Sequence, residues 1–122
     1  MIGYVTPDNN DLPRAVVFYD KLLAALGAKR MYETDRYVAY GTDEQSTGLG
    51  ITKPFDGNPA TRGNGTMVAL QTDRKDKVDA VYKLALDLGG TDEGEPGPRG
   101  EGFYAAYFRD LDGNKLNCFC MG

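Results

Sequence analysis

The chain has 122 residues, 41% hydrophobic and 26% charged, which suits one globular domain that buries a core without disulfides or metals. The net charge of −4 and the lack of any basic run argue against a nucleic-acid partner and favour cationic over anionic partners. No apolar stretch approaches the roughly 20 residues of a membrane span, and the first residues do not resemble a signal peptide, so we expect no membrane partner and a cytoplasmic location.

The first half of the sequence predicts a strand, a helix and three short strands. Residues 2–6 are β-prone and run into a Pro-Asp-Asn-Asn turn. Asn10 or Asp11 can cap the next helix, whose apolar residues recur at three- and four-residue spacing until Gly27. Three β-prone segments follow, each bounded by polar turns: residues 30–33, 37–41 and 49–53.

A segment rich in Gly, Pro and Asn, residues 54–65, separates the halves and could be a plain linker or a lid. The second half then repeats the scheme. A strand is predicted at residues 66–72 and an amphipathic helix at 76–88, ended by a Gly-Gly pair. Residues 92–102 carry so many Gly and Pro that we expect them to exclude regular structure, with at most a short strand.

A hairpin closes the chain, with strands predicted at residues 103–109 and 115–121 around a tight turn. The two halves therefore predict an α+β fold of two paired βαβββ modules. We expect a single domain over residues 1–122, with module one at about 1–53, the linker at 54–65 and module two at about 66–122.

The two cysteines, Cys118 and Cys120, occupy alternate positions of the last predicted strand and so share one face. Their Cα atoms would lie about 6.6 Å apart at roughly 3.3 Å per residue, which does not favour a disulfide. We expect reduced thiols that fill the core.

Two motifs resemble those of a known family. Asn10-Asp11-Leu12 with Phe18-Tyr19 is similar to the helix entry N-D-L-x-x-(S/A)-x-x-F-Y, and residues 108–116 are similar to the closing hairpin F-x-D-P-D-G-N-x-(I/L)-E, with Leu111 in place of Pro. Over essentially its whole length the sequence resembles the vicinal-oxygen-chelate superfamily of glyoxalases, bleomycin-resistance proteins and dioxygenases.

The resemblance implies sheets that curl into a cup with the helices outside, and a homodimer that in some members exchanges modules. In metal-dependent members a Glu on the closing strand binds the ion, helped by a His or Gln on each module's first strand and a Glu on the fourth strand of the other half. Carried over by position, these sites are Tyr4, Gly50, Met67 and Asn117 here, and the chain has no His. Phenol, glycine, thioether and amide are poor ligands for a divalent transition metal, so we expect no metal and no cofactor.

The resemblance places Asn117 in the cup, opposite the face of the cysteines. We expect Tyr4, Met67 and Asn117 either to contact an organic ligand or to fill the space of a lost metal site. Tyr107 would share the inward face, and Arg62 could bind an anionic group or remain solvated. No nucleophile with a plausible base can be assembled, so no catalytic residue is assigned.

The function predicted on this basis is binding of a small molecule without the usual metal ligands. A metal-dependent lyase, isomerase or dioxygenase of the glyoxalase type is the enzymatic alternative. A drug-sequestering resistance protein and a subunit whose modules serve mainly to dimerise are two more.

Overall fold

The computed structural model describes residues 1–43, 46–63 and 65–122. They form two four-stranded mixed sheets, each with one helix. The first sheet has the order β1-β4-β3-β2, and the second has the matching order β5-β8-β7-β6. The predicted pair of βαβββ modules is confirmed. The elements are β1 Tyr4–Val5, α1 Leu12–Ala24, β2 Lys29–Glu33, β3 Tyr37–Gly41, β4 Gly48–Thr52, β5 Met67–Gln71, α2 Lys75–Asp87, β6 Thr91–Pro98, β7 Phe103–Arg109 and β8 Lys115–Met121.

The first helix begins where its capping signal predicts. The side chain of Asp11 accepts a hydrogen bond from the Arg14 amide at 3.1 Å, which satisfies one of the free donors of the first turn. Asp11, the second of the two predicted caps, is therefore the residue used. Neither helix of the described part of the chain is long and apolar enough to cross a membrane.

One hydrophobic cluster joins both helices to both sheets. In each sheet alternate residues point toward the helices, as the period of two in a strand requires. Cys118 and Cys120 belong to this cluster and both are free, buried thiols, so they lie on the helix side of β8. Burial raises the pKa of Cys118 to about 12, which leaves it a neutral thiol that packs as a small apolar side chain.

The prediction for residues 92–102 is wrong, because Thr91–Pro98 forms the eight-residue strand β6. The strand lies at the edge of its sheet and pairs with β7 alone. An edge strand tolerates proline where the missing N–H would face away from its neighbour, which accounts for Pro96 and Pro98. Two shifts of register, between Asp92 and Gly94 and between Gly94 and Gly97, absorb the glycines as bulges.

The first strand is shorter than predicted: only Tyr4–Val5 pairs, in parallel with β4. The chain on either side still follows β4, because the Gly3 and Pro7 carbonyls accept from the Gly48 and Thr52 amides at 2.9 and 3.2 Å, so only the regular ladder is short. Strands β3, β7 and β8 have the predicted limits, and the remaining predicted elements differ from the observed ones by one or two residues at their ends, the usual uncertainty of such limits.

The hairpin turn between β7 and β8 is built around the buried carboxylate of Asp110. Its Oδ1 accepts from the amides of Asp112 and Asn114, both at 2.9 Å. Gly113 has φ +87°, a conformation that residues with a side chain rarely adopt. The turn residues of the closing motif therefore have a structural role that holds without reference to any ligand.

The same turn ties module two to module one. The Tyr19 hydroxyl on α1 donates to Asp110 Oδ2 at 2.5 Å in a buried hydrogen bond. The Asn10 amide donates to Asp112 Oδ1 at 3.0 Å, and Asn114 Nδ2 donates to the Asp8 carbonyl at 2.7 Å. The two motifs of the sequence thus contact each other.

Candidate functional site

The second sheet has one face that α2 does not cover, and we call it the open face. It carries the residues of β5, β7 and β8 that alternate with the core residues Leu116, Cys118, Ala106 and Phe108. Across the sheet, Ala69, Asn117 and Tyr107 are direct neighbours in the strand register. The members of the open face are Met67, Ala69, Gln71, Phe103, Ala105, Tyr107, Arg109, Lys115, Asn117 and Phe119.

Asn117 lies at the centre of the open face and is only 2% exposed. Its Oδ1 is buried, and no described residue donates a hydrogen bond to it. A buried acceptor without a donor costs about 1–3 kcal/mol, so folded proteins rarely leave one without a partner. A bound molecule with an N–H or O–H group would supply the missing donor once the side chains that cover Asn117 move apart, because the oxygen itself is not exposed.

Tyr107, beside Asn117, is flanked by two cations. The guanidinium carbon of Arg99 and Nζ of Lys115 each lie 5.5 Å from the centre of its ring, within range of a cation–π contact. Arg99 donates to the carbonyls of Glu95 at 2.6 Å and of Pro98 at 3.4 Å. We call Arg99 and Lys115 the cation pair.

Within the described residues neither member of the cation pair has a carboxylate within 4.0 Å. The third cation of the open face differs, because Arg109 Nε lies 2.9 Å from Glu93 Oε1. Arg109 also donates to the Gly113 carbonyl at 2.8 Å. The charge of Arg109 is thus compensated, and that of the cation pair is not.

A pocket of about 280 Å³ opens at the end of the open face where β5 and β8 begin. Met67 and Lys115 line it from the second sheet, and Thr6 and Asp8 line it from the chain after β1. Burial raises the pKa of Asp8, against the lowering effect of hydrogen bonds from its own amide and that of Thr61. Met67 remains 41% exposed, so this part of the open face is accessible.

The structure brings two of the predicted ligand-binding residues together, since Asn117 and Tyr107 are cross-strand partners. Met67 lies next to Lys115 in the register. Tyr4, which is 65% exposed, lies instead on the first sheet. Arg62 packs over the hairpin turn, where its Cδ would be 3.3 Å from a Cβ added to Gly113.

The four positions that the family resemblance matches to metal ligands carry poor donors for a metal ion. At Gly50 the space of a side chain is filled by Tyr37, whose hydroxyl oxygen lies 2.7 Å from the position of an added Cβ. The other three positions offer a phenol, a thioether and an amide. No group of three or more His, Cys, Asp or Glu side chains close enough to hold a metal occurs in the described ranges. These donors do not fit a divalent transition metal.

A second, larger hollow of about 550 Å³ runs between β5 and the edge of the first sheet. Its walls are mainly apolar and include Val5, Leu23, Leu26 and Leu70. Two buried polar atoms of the described residues have no hydrogen-bond partner, and they belong to Asn9 and Asn117. Neither residue lines this groove. Size alone favours the groove, whereas the chemistry of recognition favours the open face.

The sequence did not reveal the cation pair. Lys115 is two residues before Asn117, so the alternation of a strand could have placed both on one face. Arg99 carries no such signal, because it reaches Tyr107 only through the bulged strand β6.

The family model of the Glyoxalase/Bleomycin resistance protein/Dioxygenase superfamily matches residues 2–118 of the sequence. The chain therefore belongs to this superfamily. No curated protein matches the chain significantly in sequence.

Solved structures of the superfamily share the fold. A glyoxalase/bleomycin resistance protein from Albidiferax ferrireducens is 34% identical, with 100% of this chain and 99% of that one covered and a TM-score of 0.92. A lactoylglutathione lyase from Agrobacterium tumefaciens is 20% identical, with 98% and 92% covered and a TM-score of 0.70. At that identity the second likeness concerns the fold alone.

Proposed function

We propose that the protein binds a small organic molecule on the open face of the second sheet, without a metal ion. The observation that carries the proposal is the buried Oδ1 of Asn117, which has no donor among the described residues. Tyr107 beside it offers an aromatic surface, and such polar-tipped aromatics are common in ligand sites. We also propose Tyr4, Met67 and Arg62 as outlying contacts of the ligand.

The donor chemistry supports binding over metal-dependent catalysis of the glyoxalase type. A lyase or dioxygenase of that type uses a metal ion as a Lewis acid, and Tyr37 occupies the space beside Gly50 that a ligand side chain would need. Elemental analysis of the protein after exposure to Zn, Ni, Mn and Fe distinguishes metal-free binding from metal-dependent catalysis. We expect well under one equivalent of metal, and a stoichiometric ion that Asn117→Ala removes would contradict the proposal.

Asn117→Leu tests the site itself. Leucine has the branched shape of asparagine and no polar atom to satisfy, but its side chain is larger. We expect the relief of the unsatisfied oxygen to offset the cost of overpacking, so that the unfolding free energy changes by at most about 1 kcal/mol. Binding of small molecules that the wild type selects from a fragment library, measured by ligand-observed NMR, should be lost. Asn58→Leu, in the exposed loop before the second module, is the matched control and should bind as the wild type does.

A variant that loses stability and keeps binding would contradict the proposal, because Asn117 would then be a structural residue only. A wild-type protein that binds no fragment of any charge would also contradict it.

We further propose a cytoplasmic homodimer that does not bind nucleic acid. Large apolar side chains that remain exposed in one chain, among them Ile2, Val17 and Phe55, support an assembly. Sedimentation equilibrium should give twice the mass of one chain, and a monomer at micromolar concentration would contradict this part.

A further inference from the structure

The charges around Tyr107 indicate which class of molecule the open face selects. Two like charges that both approach one ring create a positive potential, which solvent screens at the exposed Arg99 more than at the half-buried Lys115. The chain as a whole is acidic, with a net charge of −4. The positive potential is therefore a local feature that the overall composition does not predict.

The fold holds Arg99 in this position. A Cβ at Gly94 would lie 3.1 Å from Cδ1 of Tyr107 and 3.3 Å from Nη2 of Arg99. A Cβ at Gly97 would lie 3.0 Å from Nη1 of Arg99. The two glycines of the bulged strand β6 thus leave the space in which the guanidinium lies against the ring.

The acidic residues of β6 do not neutralise the cation pair. Asp92 accepts a hydrogen bond from Tyr82 on α2 at 2.9 Å, and Glu93 pairs with Arg109. Arg99 bonds to the main-chain carbonyl of Glu95, and the Glu95 carboxylate forms no ion pair within 4.0 Å among the described residues. Asp8 lines the pocket beside Lys115 without forming an ion pair within 4.0 Å in the described residues.

Asn117 adds a second requirement. Its buried oxygen needs a donor, and an anionic group supplies acceptors only. One molecule meets both needs if it carries a carboxylate and a nearby O–H or N–H group. The Phe103 and Phe119 rings, whose centres lie 5.3 Å apart, extend the same face with apolar surface for the body of the molecule.

We propose that the ligand of the open face is a small organic carboxylate with an adjacent O–H or N–H group. Arg99 and Lys115 bind its negative charge, and the oxygen of Asn117 accepts a hydrogen bond from the O–H or N–H group of the ligand. This inference rests on the proposed function and reverses the expectation, drawn from the net charge, that cationic partners are favoured. A cationic drug would meet two uncompensated positive charges at this site.

Isothermal titration with three probes tests the inference: salicylate, the neutral salicylamide of similar shape, and inorganic phosphate. We expect salicylate to bind at least about tenfold more tightly than salicylamide, the usual worth of one charge-assisted contact. Its affinity should fall as salt is raised. Phosphate should bind more weakly than salicylate, because it lacks the apolar body.

Arg99→Gln and Lys115→Gln should each weaken salicylate by about tenfold or more and leave salicylamide within about twofold, whereas Lys115→Arg should keep the binding. Lys21→Gln on α1 removes the same charge away from the open face and is the control. Each variant is checked for an unchanged melting temperature.

Equal binding of salicylate and salicylamide, or phosphate binding alone, would overturn the inference and leave small-molecule binding intact. Equal loss in Lys21→Gln would overturn it too, because the effect would then come from the overall charge. If only neutral fragments bind, the inference is overturned and small-molecule binding stands. If no fragment binds, the proposed function is overturned as well.

Discussion

At the residue scale, Tyr19 carries the most informative contact between the modules. Its hydroxyl is buried and donates to the Asp110 carboxylate, which also accepts from the turn amides of Asp112 and Asn114. A hydrogen bond to a charged group contributes about 1.5–3 kcal/mol to stability. The same carboxylate therefore closes the β7–β8 turn and holds α1 against it.

Tyr19→Phe should lower the free energy of unfolding by about 1.5–3 kcal/mol at pH 7, because Asp110 loses one of its buried donors. Urea denaturation followed by circular dichroism measures the change. Tyr82→Phe is the control, since that hydroxyl bonds to Asp92 at the surface, and we expect a change below about 0.5 kcal/mol. Equal effects in the two variants would show that the buried hydrogen bond of Tyr19 contributes no more to stability than the surface one of Tyr82.

Alkaline pH should reveal the same residue. Burial, and after it the charge of Asp110, raises the pKa of Tyr19 well above its usual value. The tyrosine ionises near pH 10 in the unfolded protein and stays neutral in the folded one. The free energy of unfolding is therefore fully present below about pH 10 and falls above it, by up to about 1.4 kcal/mol per pH unit. The unfolding free energies of wild type and Tyr19→Phe should therefore approach each other by about 1 kcal/mol between pH 10 and 11, and parallel curves would contradict this assignment.

At the element scale, the end of α2 depends on a close approach of backbones. A Cβ at Gly90 would lie 2.6 Å from the Arg109 carbonyl oxygen and 2.8 Å from that of Ala85. Neither backbone atom can move without shifting α2 against β7. The Gly-Gly sequence that predicts the helix end therefore also sets how closely the helix packs on its sheet.

Gly90→Ala should cost about 1–3 kcal/mol of unfolding free energy, as overpacking of a tight site does. Gly3→Ala is the matched control, because nothing lies within 4 Å of its added Cβ, and its effect should stay within about 0.5 kcal/mol. A thermal or urea melt of both variants decides. A neutral Gly90→Ala would mean that α2 is packed less closely than the structure has it.

The elements predicted well from sequence are those with local signals. The cap at Asp11 and the turn at Gly113 depend on residues a few positions away, and Asn117 follows from alternation with its neighbour Leu116. Strand β6 could not be predicted, because what permits its prolines is its position at the sheet edge, a tertiary fact. The contact of Tyr37 with Gly50 joins neighbouring strands and is equally invisible in sequence.

At the scale of the whole molecule, the two sequence motifs link the modules. Asn10 bonds to Asp112, and Asn114 bonds to the Asp8 carbonyl. These residues support the fold, while the open face and its cation pair carry the chemistry proposed for a ligand. The motifs therefore predict the superfamily, whereas the residues that would select a ligand lie outside them or, like Lys115, have no assigned role within them.

The groove between β5 and the first sheet is the competing site at this scale. It is the larger hollow, and it is lined by apolar side chains such as Leu23, Leu26 and Leu70. A ligand there would be recognised by shape and burial alone, with little dependence on charge. The two sites share Met67, Ala69 and Gln71 of β5, so what separates them is whether a bound molecule perturbs β7 and β8 or the residues of α1.

An NMR titration of the ¹⁵N-labelled protein with salicylate tests the central claim most directly. Ligand binding at the open face should shift the backbone amides of residues 105–107 and 115–119 and the side-chain amide of Asn117. Shifts confined to the groove, at Leu23, Leu26 and Leu70, or no localised shifts with salicylate or any other small molecule, would contradict it.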